Sequence, residues 1–450
     1  MKGDCKMAKS ENDIVFVDGV RTPMGKRYGS LSQIHTAAMP YQLVQGLYKR
    51  LSGFEEHKNE LEDVIIGCNS QIGGGALDIG RVVALSLGLT PVPGLAINRQ
   101  CASGQTSMWI ASSALIAGYG NMFLAGGVEQ QSKYAIGSDV AEYEKKEIPT
   151  YKESKENPGL FEKSKKTLEL YKMTPGLPFA QVLKNYPGFA TQMIAADRIA
   201  EKYGLTREVL DRYSYLSQVK ATKAMKEGKF KNEIIPVHID KWKDPKTGEV
   251  KKDWYYDYDE IIRPDSTLEK MAKLPLVPGC KFLTPGNSCP INDGASITLI
   301  ARRNYAEKMG WKSRAKSLGF GIVGSDPELM LTGPAPAMAK ALKRVNMTLK
   351  DMNIIEINEA FSSVVVAAGK ILTDEYGMKA DFGPDGEQAE GGRLNRMGGA
   401  IALGHPTACS GSRLVITMLN EMDRQKYSYG IASLCVGLGM GIACVIEREG

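Results

Sequence analysis

The chain has 450 residues, 43% of them hydrophobic and 24% charged, and a formal net charge of +6. That balance is globular, and the length allows two or three domains with large cores. No dense basic run interleaved with aromatics points to nucleic acid, and no stretch of about 18 uninterrupted apolar residues points to a membrane span.

Taken in order, 13–17 reads as a strand, 40–51 as a helix and 63–67 as a strand. A glycine-rich loop, a helix over 103–117 and a strand over 121–125 follow. Residues 129–275 change in character, becoming rich in Lys, Glu, Tyr and Pro, with an amphipathic helix over 207–227. The first pattern then returns. Residues 318–323 read as a strand, 335–345 as a helix and 353–357 as a strand. A polar glycine-rich insertion, a helix opened by His405 and a strand over 431–434 complete it. Short apolar runs alternating with helices predict an α/β protein with parallel strands. Three units are expected: 1–128, an inserted covering domain at 129–275, and 276–450. Cys101 and His405 open equivalent helices, each with a Ser-Gly pair downstream (Ser103-Gly104 and Ser410-Gly411). If the halves pack about a pseudo-twofold axis, those two helix starts can meet.

Cys101 stands at the head of an almost uncharged helix. The free N–H groups and dipole of a helix start favour thiolate, which suggests a nucleophile. A lone cysteine there is more often core, so the reading needs support from elsewhere. Support comes from Asn358-Glu359-Ala360-Phe361 after an apolar strand, Gly404-His405-Pro406 before a helix, and Cys435-Val436-Gly437 after the last strand. Of four histidines only His405 sits at such a turn. Imidazole accepts a proton near neutral pH. Gly437 and Gly439 leave bare backbone that a ligand can approach closely. Eight scattered cysteines without a C-x-x-C pair argue against a zinc site or a disulfide framework, so no metal and a reducing cytoplasm are expected. Cys68, Cys280, Cys409 and Cys444 read as small buried hydrophobes. Residues 1–13 show no secretory pattern, and Arg448-Glu449-Gly450 is no peroxisomal address.

These blocks resemble the thiolase family, in order and in spacing. The resemblance extends to Val20-Arg21-Thr22-Pro23, to Asp197 through Gly204, and to Gly286-Asn287 through Ala295, so it spans nearly the whole chain. It implies two βαβαβαββ halves in a five-layered α-β-α-β-α core, with an inserted loop domain that carries much of the coenzyme A site. It implies reversible Claisen condensation of acyl-CoA with acetyl-CoA, or thiolysis of 3-ketoacyl-CoA, through a thioester on Cys101. In this resemblance His405 serves the nucleophile and Cys435 moves the α-proton. One oxyanion site uses His405 with a water held by Asn358; the other uses the N–H groups of Cys101 and Gly437. Arg263, Cys289 and Phe361 fall at substrate- or CoA-binding positions. Phe361 and Glu359 read more as packing and orientation than as chemistry. No permanently bound cofactor is implied; coenzyme A and acyl-CoA are substrates, and the assembly is a homodimer or homotetramer.

The departures are local. Cys289 replaces a serine usual beside the pantetheine, Ala408 a glycine, and Met397 an asparagine, and likeness is poor from Tyr143 to Tyr186. They bear on the acyl chain and leave the reaction class alone. Two other readings are a condensing enzyme acting on carrier protein and a non-catalytic CoA- or lipid-binding relative. The first uses two histidines, or a histidine and an asparagine, beside its cysteine. The second is disfavoured by the persistence of every catalytic block.

Overall fold

A computed structural model describes residues 9–134, 178–244 and 247–449. Its strands in chain order are β1 (Ile14–Arg21), β2 (Gly25–Lys26), β3 (Asp63–Gly67), β4 (Gly94–Ile97), β5 (Met122–Gln130), β6 (Val237–Lys243), β7 (Val250–Tyr256), β8 (Asn292–Arg302), β9 (Ala315–Gly324), β10 (Ile354–Ile357), β11 (Tyr429–Val436) and β12 (Met440–Arg448). All but β6 and β7 form one sheet in the order β10-β11-β12-β9-β1-β8-β5-β3-β4, with the short β2 on β8. β1 and β9 meet antiparallel at the centre, with Val15 opposite Lys316. The two halves are thus joined edge to edge.

Alternation along the strands separates the layers. Val15 and Val17 face one core, and Ile14 and Phe16 the other. On the first outer face the helices Ala38–Arg50 and Ile79–Ser86 bury Leu43, Leu47 and Val83 against Val64, Leu124 and Leu299. On the opposite outer face the helices Pro334–Arg344 and Ser362–Tyr376 bury Met338, Leu342 and Val365 against Ile355, Ala443 and Val445. Each such buried aliphatic side chain contributes roughly 1.5–3 kcal/mol. Between the half-sheets lie the helices Ser103–Ile116 and Thr407–Gln425. Their Met108, Leu115, Leu414 and Met418 fill a third core with Phe123, Ala432 and Ile442. The order is α-β-α-β-α, as expected.

The two central helices start side by side because small residues let their backbones touch. A Cβ on Gly104 would lie 2.6 Å from the Ala408 carbonyl oxygen, and one on Gly411 would lie 2.7 Å from the Gln105 nitrogen. The paired Ser-Gly positions are therefore the crossing point of the duplicated halves.

Three expectations need correction. The sheet is mixed: only β3–β4, β3–β5 and β10–β11 are parallel. β1–β8, β5–β8, β9–β12 and β11–β12 are antiparallel. The last strand of each half arrives without a helical crossover, through the insertion for β8 and a short turn for β12, so it pairs antiparallel. Next, β8 pairs with β1 and β5 and so belongs to the first half, although the division at 275/276 put it in the second. The division at 128/129 likewise cuts β5, which runs to Gln130. Finally, the strand expected over 431–434 is longer at both ends, β11 running from Tyr429 to Val436.

The described part of the insertion straddles both halves. The helices Gln192–Lys202 and Arg207–Lys226 add Ala196, Ile199, Leu210 and Tyr213 to the second half's outer core. The β6–β7 hairpin adds Val237, Ile239 and Tyr256 to the first half's. The divergent segment from Tyr143 to Tyr186 lies, up to residue 177, outside the described residues.

Candidate active site

The parallel strands point their carboxyl ends to one place. Asn98–Cys101 follow β4, Asn358 follows β10, Gly437 follows β11, and Glu129 lies near the end of β5. In open α/β sheets that end is where ligands bind.

Cys101 sits in a tight turn, Gln100–Ala102, just before the central helix. The turn is held by the Gln100 N–H donating to Asn98 Oδ1 (2.8 Å), with Gln100 in the left-handed region at φ 50°. That conformation is strained for glutamine and marks a place where geometry is imposed by its surroundings. The turn packs against both the Thr407–Gln425 helix and β11. Cys101 is buried, and the backbone N–H groups of Gly437 and of Cys101 itself donate to its sulfur. The expected thiolate is nevertheless not the resting form. Burial outweighs those N–H groups, Glu129 adds its negative charge, and the thiol is pushed up to about 12. A helix start offers partial charges, whereas removal from water penalises the whole anion.

His405 supplies what the buried thiol then needs. Its Nδ1 lies 2.6 Å from Ser410 Oγ, and the Ser410 hydroxyl donates to the Pro406 carbonyl (3.0 Å). With the single hydroxyl proton committed, Nδ1 must be the N–H and Nε2 the bare nitrogen. Asn358 Nδ2 donates to that nitrogen at 3.3 Å, leaving Asn358 Oδ1 buried with no protein partner. The His405 N–H donates to Asn292 Oδ1 (2.7 Å), which fixes the turn. Burial, and then the charge of Arg413, push His405 down to about 3, so it rests neutral as a proton acceptor. His35 is exposed and accepts from the Ala37 N–H, and His57 and His238 lie at the surface beside Glu60 and Asp253, so a two-histidine site finds no second histidine here.

Cys435 is fully buried near the end of β11. Its thiol is pushed well up by burial and then by the neighbouring sulfurs of Cys101 and Cys289, so the three cysteines form one group of neutral thiols. The turn after Cys435 places Leu438 and Gly439 at φ 65° and 78°. A Cβ on Gly437 would lie 2.6 Å from Gln100 Oε1 and 3.2 Å from Gln192 Nε2. Glycine at 437 thus admits the close approach of two amide side chains to the nucleophile's turn.

Glu359 is a scaffold carboxylate. It accepts from Tyr213 Oη (3.1 Å), Ser217 Oγ (2.7 Å), Asn395 Nδ2 (2.9 Å) and the Ile401 N–H (3.1 Å). Those bonds tie the loop before His405 to β10. Phe361 is buried in the second half's outer core and pairs backbone with Ser288. Cys289 donates its N–H to the Ala360 carbonyl (3.0 Å). Its neighbours Ser288 and Pro290 line a cleft of about 190 Å³ with Arg263, Ser266, Lys270, Gly286 and Ile401. Arg263 is exposed at that cleft, whereas Phe361 does not line it.

The residues that hold the site were missed in the sequence, apart from the Ser-Gly pair that contains Ser410. Glu129 accepts from the Asn69 and Ser70 N–H groups and from Thr407 Oγ1 (3.0, 3.1 and 2.8 Å). It joins the first half to the start of the His405 helix. Asn292 and Ser410 orient His405. None of these belongs to a motif whose residue types alone announce chemistry.

The two halves also match known sequences. Residues 14–304 match the thiolase N-terminal domain and 311–448 the thiolase C-terminal domain. The chain is a member of the thiolase family. A β-ketoadipyl-CoA thiolase from Pseudomonas knackmussii is 34% identical over 441 residues, covering 97% of this chain and 99% of the relative. A 3-ketoacyl-CoA thiolase from Photorhabdus laumondii is 32% identical over 442 residues, with 97% and 99% covered. Among solved structures, the Bacillus anthracis acetyl-CoA acetyltransferase superposes with a TM-score of 0.77 at 28% identity, covering 97% of this chain and 99% of that one. Human mitochondrial 3-ketoacyl-CoA thiolase gives 0.76 at 27%, covering 98% and 100%. This thiolase thus has the fold and the acyltransferase reaction class expected from its four blocks. No helix among the described residues is long and apolar enough to cross a membrane.

Proposed function

We propose that this thiolase carries its acyl group on Cys101, with His405 as the base for the nucleophile and Cys435 as the proton carrier at the α-carbon. The observation that carries the reading is the bare Nε2 of a neutral His405, in a turn packed together with Cys101 and Cys435. In thiolysis, Cys101 gives its proton to His405 Nε2 and the sulfur attacks the 3-keto carbon. The bond between C2 and C3 breaks, and the electron pair left on C2 takes the proton of the Cys435 thiol. Acetyl-CoA leaves. Coenzyme A then gives its thiol proton to the Cys435 thiolate and takes the acyl group from Cys101, whose departing sulfur takes back the proton held on His405 Nε2. The oxyanion at the thioester faces the N–H groups of Cys101 and Gly437; preorganised donors of this kind typically supply ~2.7–4 kcal/mol each. The enolate oxygen is served by His405 and by a water on the unpartnered Asn358 Oδ1.

The cleft at Arg263 suits coenzyme A. Arg263 and Lys270 offer positive charge to phosphates, and the wall from Gly286 to Pro290 leads to Cys289 beside the reacting sulfur. Phe361 supports that wall from behind through Ser288. The relatives' names divide between β-ketoadipyl-CoA and 3-ketoacyl-CoA substrates, and fatty-acid β-oxidation in a reducing cytoplasm fits the second.

The acylation step gives a direct test. Cys101 stays a thiol up to about 12 and His405 stays neutral down to about 3. Neither group then titrates between, so the rate of Cys101 acetylation by acetyl-CoA is expected to be flat from about pH 6 to 9. Stopped-flow or quench measurements check it. An inflection near 6.5 would mean that His405 titrates as in water and that another group bears the role given to it.

We also propose that a second copy covers β4, the outermost strand of the first half-sheet. Leu77 and Leu95 stand exposed there at 88% and 37%. A free, apolar strand edge is a pairing surface. Sedimentation of the wild type as a dimer or tetramer, and of Leu95→Lys as a smaller species, is expected; a monomeric wild type rejects the idea.

A further inference from the structure

Cys101 and His405 both stand just outside the helices they precede, which begin at Ser103 and Thr407. The backbone crossing at Gly104 and Gly411 fixes the two helix bodies. The reacting side chains lie in the turns before that crossing, where no helical hydrogen bonds hold the chain. An unbroken run of hydrogen bonds connects one turn to the other.

It starts at the His405 helix. Pro406 gives that helix no side-chain cap, and no acid stands in its first turn. Glu129, from β5 of the other half, fills both places. Its Oε2 accepts from Thr407 Oγ1 (2.8 Å) and from the Ala408 N–H (3.4 Å). The same carboxylate accepts from the Asn69 and Ser70 N–H groups, at 3.0 and 3.1 Å. The Asn69 carbonyl accepts from Asn98 Nδ2 (3.1 Å), and Asn98 Oδ1 accepts from the Gln100 N–H (2.8 Å). Gln100, directly before Cys101, is the residue held at φ 50°. A left-handed glutamine persists only where its surroundings impose it. Two side chains, Glu129 and Asn98, therefore carry the connection from the start of the His405 helix to the strained turn of the nucleophile.

The charge of Glu129 does not explain its place. Its partners are N–H and O–H groups, and none is a cation. A helix start favours a carboxylate, but the nucleophile does not. Glu129 opposes the negative charge that Cys101 takes on during attack, and it helps to push that thiol up. Its electrostatic effect on Cys101 is adverse, so what it contributes is position. Asn98 is the uncharged counterpart. It stands exposed, and its amide donates once and accepts once.

We propose that Glu129 and Asn98 are positioning residues for acyl transfer, a strut that holds the Cys101 turn in register with the His405 turn. The inference rests on the reading of Cys101 as the acyl carrier and His405 as its base. The Cys101 proton passes to His405 Nε2, and the two atoms belong to different halves of the fold. A shift of about 1 Å between such groups can cost on the order of 10²-fold in rate.

The test follows acetylation of Cys101 by acetyl-CoA in quench experiments, reading the rate at saturation and the half-saturating concentration. Asn98→Ala and Glu129→Gln are each expected to lower the saturating rate by about tenfold or more. The half-saturating concentration is expected to stay within about twofold, since the Arg263 cleft is untouched. Glu129→Gln removes the adverse charge, so an electrostatic role would make that variant faster. The double variant is expected to be about as slow as the slower single one, because both changes break the same strut. Thermal melting separates lost register from lost fold; if Glu129→Gln does not fold, Asn98→Ala decides alone, because it is a surface change. Acetylation at the wild-type rate in Asn98→Ala, a faster Glu129→Gln, or effects that multiply in the double variant overturn the strut. If the wild type is acetylated on Cys101 in that case, the catalytic reading stands and the strut alone falls. If the wild type is not acetylated on Cys101, both fall.

Discussion

Cys101→Ala is expected to lower thiolysis of acetoacetyl-CoA by on the order of 10⁴–10⁶, as loss of a covalent nucleophile does in other acyl-transfer enzymes. No other group in the site can replace it. Cys289 is held as a thiol by burial and then by the neighbouring Cys101 sulfur, pushed up to about 12. Cys435 is pushed higher still. Neither has the Gly437 and Cys101 N–H groups at its sulfur. The same variant should bind coenzyme A with little change, because Arg263, Lys270 and the 286–290 wall are untouched. Incubation of the wild type with acetyl-CoA should add one acetyl group, found on the Cys101 peptide by mass spectrometry and absent from the variant. Acetylation at Cys289 or Cys435, or full activity without Cys101, would reject the assignment. The alanine should cost roughly 1 kcal/mol, since the turn stays held by Asn98 and Ser103 while the buried sulfur belongs to the core between the half-sheets.

The residues that do the chemistry were more legible than those that position them. Cysteine, histidine and asparagine beside glycines are unusual in a sequence, and their order along the chain pointed to one family. Strand β3 and the central helix starting at Ser103 were also readable, because apolar periodicity and turn residues bound them sharply. β4 was not. It is four residues long, and Pro91, Pro93 and Gly94 at its entry read as loop. The pairing of β8 with β5 was invisible because it joins strands about 170 residues apart in the chain, and sequence shows strands without showing their partners. The state of Cys101 was misjudged for a related reason. Its helix start is local and can be read from sequence; the burial that outweighs it comes from β11 and the other central helix, hundreds of residues away. Asn292 and Glu129 went unread as site residues alike, and Ser410 was read only as half of a Ser-Gly pair: Asn292 and Glu129 each bond a group on another element, and nothing in their own surroundings marks that.

Cys435→Ala is expected to divide the reaction into its halves. Acetyl-CoA should still acetylate Cys101 within a few-fold of the wild-type rate, because that step needs only the sulfur, His405 Nε2 and the N–H groups of Cys101 and Gly437. Condensation to acetoacetyl-CoA, thiolysis, and exchange of the acetyl α-protons with deuterium oxide should each fall by about 10²–10⁴, the usual cost of losing a general base. The split follows from the position of Cys435. It is a neutral thiol, fully buried, with Cys101 and Cys289 as electrostatic neighbours and no charged side chain among the causes that move it. A thiol in that setting can give a proton to a carbanion and, as thiolate, take one back. Asn358, lacking a titratable proton, cannot do so, and His405 is already committed to the nucleophile. Losing the sulfur from the core beside Ile431 and Phe361 should cost roughly 1 kcal/mol, a drop of a few degrees in Tm. A melt that stays cooperative therefore distinguishes lost chemistry from lost fold. Exchange at the wild-type rate in Cys435→Ala would give the α-proton to another group. Loss of acetylation together with exchange would instead mean that Cys435 holds the Cys101 turn in place and moves no proton.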